Sequence, residues 1–225
     1  MSLVAVTSHE MRAPLAAIRG FVDMLQRRRA ELSEAEFDEF LQVISAHTDR
    51  LIRLADDLVT MESLDDPALS IERESIVLVP ALEQLVRETP GGDRVELRVS
   101  ADAPPAIVTD ALRLGQVLAN LLTNALKYSD PATPVSLEVG PADEGERIRI
   151  AVIDHGIGIG ASERARVFEP FYRTAEGARS AEGAGLGLAI ARRLVDALGG
   201  TISAAPTRGG GTTFLVTLPV HAEAR

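Results

Sequence analysis

His9 and Glu10 stand side by side at the head of a long amphipathic stretch, and the pair has the parts for phosphorus chemistry. An imidazole nitrogen can attack phosphorus while the adjacent carboxylate fixes the ring in one tautomer or accepts its proton. A lone His-Glu dipeptide is more often a solvated pair on a charged helix flank, and His47, His155 and His221 keep that plain reading. His9 gains weight from three constellations downstream. These are Asn120-Leu121-Leu122-Thr123-Asn124-Ala125-Leu126-Lys127-Tyr128, then Asp154-His155-Gly156-Ile157-Gly158, then Gly183-Ala184-Gly185-Leu186-Gly187-Leu188, in an order that suits nucleotide binding.

The spacing predicts a helix from Ala111 to Tyr128, capped by Thr109 or Asp110. Arg113, Gln116, Asn120, Asn124 and Lys127 share one face, and Leu114, Val117, Leu118, Leu121 and Ala125 share the other. Two Asn carbonyl oxygens one turn apart can hold Mg²⁺ without adding anionic charge beside phosphate. Lys127, the only lysine in a chain of 23 Lys and Arg, can serve phosphate as a compact point charge. Asp154 follows a strand ending at Ile153, where its carboxylate can accept a hydrogen bond from an adenine amine, and Gly156 and Gly158 let the backbone approach the ring. Gly183, Gly185 and Gly187 run into a helix from Leu188, offering backbone N–H groups to phosphate. A dinucleotide fold competes for these glycines, but they follow a loop and not a strand. The glycines of Arg208 to Phe214 read first as a turn into the last strand.

Two helices must carry His9. Met11, Leu15, Ile18, Val22 and Leu25 recur at steps of four and three within a helix from about 3 to 30. Phe37, Leu41, Ile44, Thr48, Leu51, Ala55 and Leu58 repeat the spacing in a second helix ending near Leu64. The first stripe puts His9 about 100° round the helix, with its ring towards solvent, and Pro14 should kink the helix nearby. Such a hairpin leaves apolar surface open, so the expectation is a homodimer forming a four-helix bundle. Pro67 ends the helical part, giving domains 1–66 and 67–225. Beyond it, strands at 95–99, 135–139, 147–153 and 212–218 and helices at 80–88, 111–128 and 188–198 imply an α/β sandwich, with 160–183 as a mobile loop. The class is multi-domain, α followed by α+β.

A net charge of −10 over 225 residues argues against direct nucleic-acid binding. The absence of Cys fits a reducing compartment, and no apolar run approaches the ~20 residues of a membrane helix. The piece is expected to be soluble and free of membrane contact. Its start inside a helix suggests a fragment of a longer protein.

In this order the motifs resemble the cytoplasmic core of a two-component sensor histidine kinase. His9 to Leu15 is similar to the phosphoacceptor box, Asn120 to Tyr128 to the N box, and Asp154 to Gly158 to the first glycine box. Phe168-Glu169-Pro170-Phe171-Tyr172-Arg173 is similar to the F box, Gly183 to Leu188 to the second glycine box, and Gly209 to Phe214 to the third. The resemblance implies a Bergerat-type ATP-binding sandwich shared with gyrase and MutL, and a lid at 160–183. It implies catalysis by His9 and Glu10, with Mg²⁺ on Asn124 and Asn120. The nucleotide set it implies adds Lys127, Tyr128, Asp154, Gly156, Gly158, Gly183, Gly185, Leu186, Gly187 and Thr213, and an Arg173 that reaches the γ-phosphate. ATP-dependent phosphorylation of His9 would be followed by transfer to an aspartate of a response-regulator receiver domain, in a cytoplasmic fragment whose parent sits at the inner membrane.

One departure bears on a second activity. Four residues after the histidine the family often has Thr or Asn, implicated in dephosphorylating the partner, and here Ala13 stands. A methyl cannot orient water, so phosphatase activity should be weak. His155 is also less usual than Asn or Thr in its box. Two other readings stay open: a non-catalytic dimeric module that binds nucleotide or a receiver domain, and a clamping ATPase of the same sandwich fold. The hairpin carrying His9 and Glu10 speaks against the second.

Overall fold

The computed structural model describes residues 3–29, 31–64, 70–180 and 184–221. Side chains of residues 3–6, 9, 144, 179 and 180 lie outside the described set, as does Gly183, so the readings of the His9 ring direction and of Gly183 fall outside it. The chain divides between Ser63 and Leu64 into two compact units.

The first unit is a hairpin of α1 (Leu3–Arg28) and α2 (Glu34–Ser63). The turn is fixed by a reciprocal cap. Ser33 N–H and Oγ donate to Glu36 Oε2 at 2.9 and 2.7 Å, and Glu36 N–H donates back to Ser33 Oγ at 3.3 Å. The contact between the helices uses a stripe one residue away from the expected one. Phe21 meets Phe40 edge-on at 5.2 Å, and Glu10 faces Arg50, which sets an antiparallel register. Thr7, Glu10, Pro14, Ala17 and Phe21 therefore share a face, with Thr7 and Pro14 buried. The expected stripe is instead partly open, Leu15 being 50% and Leu41 44% exposed. α1 runs through Pro14 as one helix.

The second unit is a layered α+β fold. Its main sheet has the order β2 (Val95–Val99), β4 (Val135–Ala142), β5 (Arg147–Ile153), β7 (Thr212–Pro219), β6 (Thr201–Pro206). Only β2 and β4 run parallel. Strand alternation sends Leu137, Ile150, Val152, Phe214 and Val216 to one fully buried face, covered by α4 (Ala111–Tyr128) and α6 (Gly187–Ala197). α3 (Leu78–Glu88) packs beside β2, and β1 (Glu74–Val77) pairs with β3 (Ala106–Thr109) in a small separate sheet.

Within the expected loop at 160–183, the described residues 160–180 carry two short elements. Arg166–Phe168 forms a 3₁₀ turn that buries Val167 and Phe168, with Phe168 edge-on to Phe214 at 6.3 Å. Ala175–Ser180 forms a short helix, α5. The missing periodicity reflects a turn plugged by two apolar side chains, too short for any repeat to show.

Candidate active site

α4 is the ruler of the site. Asp110 is its cap: Oδ1 accepts from Arg113 N–H at 3.0 Å, and Oδ2 from Glu72 N–H at 3.1 Å. The apolar face holding Leu114, Val117, Leu118, Leu121 and Ala125 is buried, which leaves Asn120 and Asn124 half-buried one turn apart and Lys127 exposed. Lys127 Nζ lies 5.1 Å from the centroid of the half-buried Tyr128 ring.

Asp154 leaves β5 into the core, 3% exposed. Its Oδ1 accepts from Gly156 N–H at 2.9 Å and from Thr212 N–H at 3.0 Å. Both bonds use one oxygen, so Oδ2 is the one available to a ligand amine. Burial pushes the carboxyl above its ordinary range, against the pull of the two N–H donors and of His155. The glycines here are sterically required. A Cβ on Gly156 would run into the Tyr128 carbonyl oxygen, and one on Gly211 into that of Asp154. Gly158 has φ +74° and lies against Gly211.

Thr213 does not face Asp154. β7 alternates, so Thr213 lies on the sheet face opposite Phe214, and its hydroxyl bonds Thr207 Oγ1 at 2.9 Å. Thr212, 4% exposed, occupies the Asp154 side, with its carbonyl accepting from Asp154 N–H at 2.9 Å. Strand period, which the motif does not carry, is the signal that separates the two threonines.

The second glycine segment meets α4 directly. A Cβ on Gly187 would sit 3.4 Å from Asn120 Oδ1, so the start of α6 packs on that amide, and its N-cap residue, Leu186, has no side-chain acceptor for the first N–H groups. Leu186 is 1% exposed, which leaves only its backbone for a ligand. Gly185, at φ +73°, accepts from Phe171 N–H at 2.9 Å, and Phe171 itself has φ +62°. Arg173 donates to the Gly177 carbonyl in α5 at 3.0 Å. α5 lies beside Tyr128, whose ring would stand 3.6 Å from a Cβ on Gly177.

In the hairpin, Glu10 Oε2 lies 3.6 Å from Arg50 on α2, both side chains partly buried. Sequence reasoning missed Arg50. The signal was its position, since Glu10 precedes Met11 and Arg50 precedes Leu51, each beside a stripe residue.

Two family models cover this arrangement. Residues 2–67 match the His Kinase A (phospho-acceptor) domain, and residues 109–222 match the histidine kinase-, DNA gyrase B- and HSP90-like ATPase. The chain belongs to the two-component sensor histidine kinases. The kinase core is 36% identical to the sensor histidine kinase WalK of Bacillus subtilis (strain 168) over 224 residues, covering 98% of this chain and 36% of WalK. It therefore spans about a third of that relative. The structure of full-length ShkA in complex with AMPPNP matches at TM-score 0.69 and 30% identity, over 98% of this chain and 46% of ShkA. ThkA in complex with the response regulator TrrA matches in fold at TM-score 0.73 and 22% identity, over 99% of this chain and 62% of ThkA. Among the described residues, no helix is long and apolar enough to cross a membrane.

Proposed function

We propose that this kinase core uses ATP to phosphorylate His9 and passes the phosphoryl group to an aspartate on a response-regulator receiver domain. The observation that carries the reading is Asp154, a buried carboxylate with one oxygen tied to two backbone N–H groups and the other open to an exocyclic amine. Gly156 and Gly158 bring the backbone to the base, and Gly185, Leu186 and Gly187 present N–H groups to phosphate at the start of α6. Asn120 and Asn124 would hold Mg²⁺ through their amide oxygens, and their half-buried place beside that helix start fits such an ion. When bound, the ion would neutralise charge on the phosphates. Lys127 and Arg173 add cations, Tyr128 borders the lid, and Thr212 replaces Thr213 in the base-binding set.

At His9 the mechanism is nucleophilic attack by an imidazole nitrogen on the γ-phosphorus, with Glu10 accepting the proton from the ring. Positioning and electrostatics supply most of the acceleration. The boundary at 1–66 and 67–225 separates acceptor from catalyst, and one must approach the other and then withdraw. The open stripe of Leu15 and Leu41, extended by Ile52 and Val59, supports a second copy completing a four-helix bundle. Ala13, exposed one turn after His9, offers no group to orient water, so dephosphorylation of the partner is weak. The reaction belongs in the cytoplasm, where ATP and a receiver domain meet.

The test is labelling with γ-labelled ATP and Mg²⁺, followed by acid and alkali treatment and a chase into a purified receiver domain. Acid-labile, alkali-stable label that moves to the receiver supports the reading, whereas acid-stable label overturns it.

A further inference from the structure

The ion pair between Glu10 and Arg50 joins the proposed proton acceptor to the helix that does not carry His9. Glu10 sits one residue after His9 on α1, on the stripe that contacts α2 through Phe21 and Phe40. Its side chain is 29% exposed and that of Arg50 23%, so neither head is free in bulk water. A glutamate side chain, with three rotatable bonds, has several rotamers, and a fixed counter-charge selects among them. Arg50 suits that task, since a guanidinium is a permanent cation with several N–H donors for a carboxylate.

We infer that Arg50 is a positioning residue for the phosphorylation of His9, acting through Glu10. It holds the carboxylate at one place on the hairpin, where it can accept the proton that leaves the imidazole. Arg50 touches neither nucleotide nor phosphorus in this role. The inference rests on Glu10 as the proton acceptor.

The experiment compares autophosphorylation rates and the KM for ATP in the whole chain for wild type, Arg50→Ala, Arg50→Gln and Arg50→Lys, and for Arg50→Gln in a Glu10→Gln background. The expected result is a maximal rate about tenfold lower in the Ala and Gln variants, the loss of one charged contact. KM should be unchanged, Lys should restore most of the rate, and Arg50→Gln should have no further effect once Glu10 is Gln. Arg50→Gln keeps two of the three stem methylenes and a polar head, so a folding failure confined to Arg50→Ala leaves the comparison standing. A wild-type rate in Arg50→Gln, a changed KM, no recovery with Lys, or an equal loss in both backgrounds overturns the proposal. A wild-type rate in Glu10→Gln instead overturns the role of Glu10, and is told apart from those results. Where Glu10→Gln leaves no measurable rate, the Lys recovery and the KM decide.

Discussion

Asp154 and Thr212 exchange two hydrogen bonds across the sheet end: Thr212 N–H donates to Asp154 Oδ1 at 3.0 Å, and Asp154 N–H donates to the Thr212 carbonyl at 2.9 Å. One carboxylate oxygen is thereby a structural fixture, and the other is left for the proposed adenine contact. Asp154→Asn can keep the first role through its amide oxygen, but it turns an N–H₂ towards the adenine amine. ATP affinity should fall about tenfold to a hundredfold with little loss of stability. Calorimetric titration with an ATP analogue, run beside thermal unfolding, checks both. Thr213→Val, on the other sheet face, should leave affinity near wild type.

The same carboxylate sets a pH dependence. Burial raises Asp154, so it protonates at a higher pH than an ordinary carboxylate. Adenine needs the ionised form as acceptor. Affinity for ATP should therefore decline on acidification before exposed carboxylates titrate, and Asp154→Asn should flatten that decline. Affinity measured from pH 8 downwards at constant ionic strength reads the difference.

Gly156 has no room for a methyl, because the Tyr128 carbonyl occupies the space. Gly156→Ala must push the loop after β5, where the base is proposed to bind, away from the end of α4. It should cost about 1–3 kcal/mol of stability in the second unit and most of the ATP affinity. Denaturant unfolding and analogue titration check the two effects separately.

The hairpin was legible in period but not in phase. Leu, Ile and Val mark the stripe at Met11, Leu15, Ile18 and Val22, yet the helices meet through Thr7, Glu10, Pro14 and Phe21, whose polar members carry no hydrophobic signal. α4 was legible to the residue, because an unbroken apolar face and a cap mark both its phase and its start. β1 and β3 have only four residues each, too few for alternation to show, and β6 carries Ala204, Ala205 and Pro206, poor strand formers that an edge position tolerates. Within the site, the motifs marked Asp154 and the Asn pair. The bond from Thr212, 58 residues away, follows from sheet register, which no local pattern carries.

Asp57 on α2 gives the first unit its own titration. Burial and the neighbouring Asp56 charge push its carboxyl from 3.8 to about 6, against the pull of Arg53. Its folded pKa lies above its unfolded one, so its contribution to stability is full below about 4 and is lost as pH rises through about 6. Asp57→Asn should then stabilise the chain at pH 7 by about 1 kcal/mol, after allowance for solvent screening, and by nothing near pH 4. Thermal unfolding of both proteins at the two pH values checks the sign.

Ala13→Thr tests the second activity. A hydroxyl one turn beyond His9, on the exposed side of α1, can orient water at a receiver's phosphoaspartate. Dephosphorylation of a phosphorylated receiver domain should rise several-fold while autophosphorylation stays near wild type. No gain would show that the methyl is not what limits it.

The most direct measurement places ATP binding and protein phosphorylation side by side in wild type and His9→Gln. Analogue affinity should be the same in both, and stoichiometric phosphate should form on the wild type alone, mapped to His9 by mass spectrometry under alkaline conditions. Phosphate on His9→Gln, or ATP binding by the wild type with no phosphate on any residue, would contradict His9 as the acceptor.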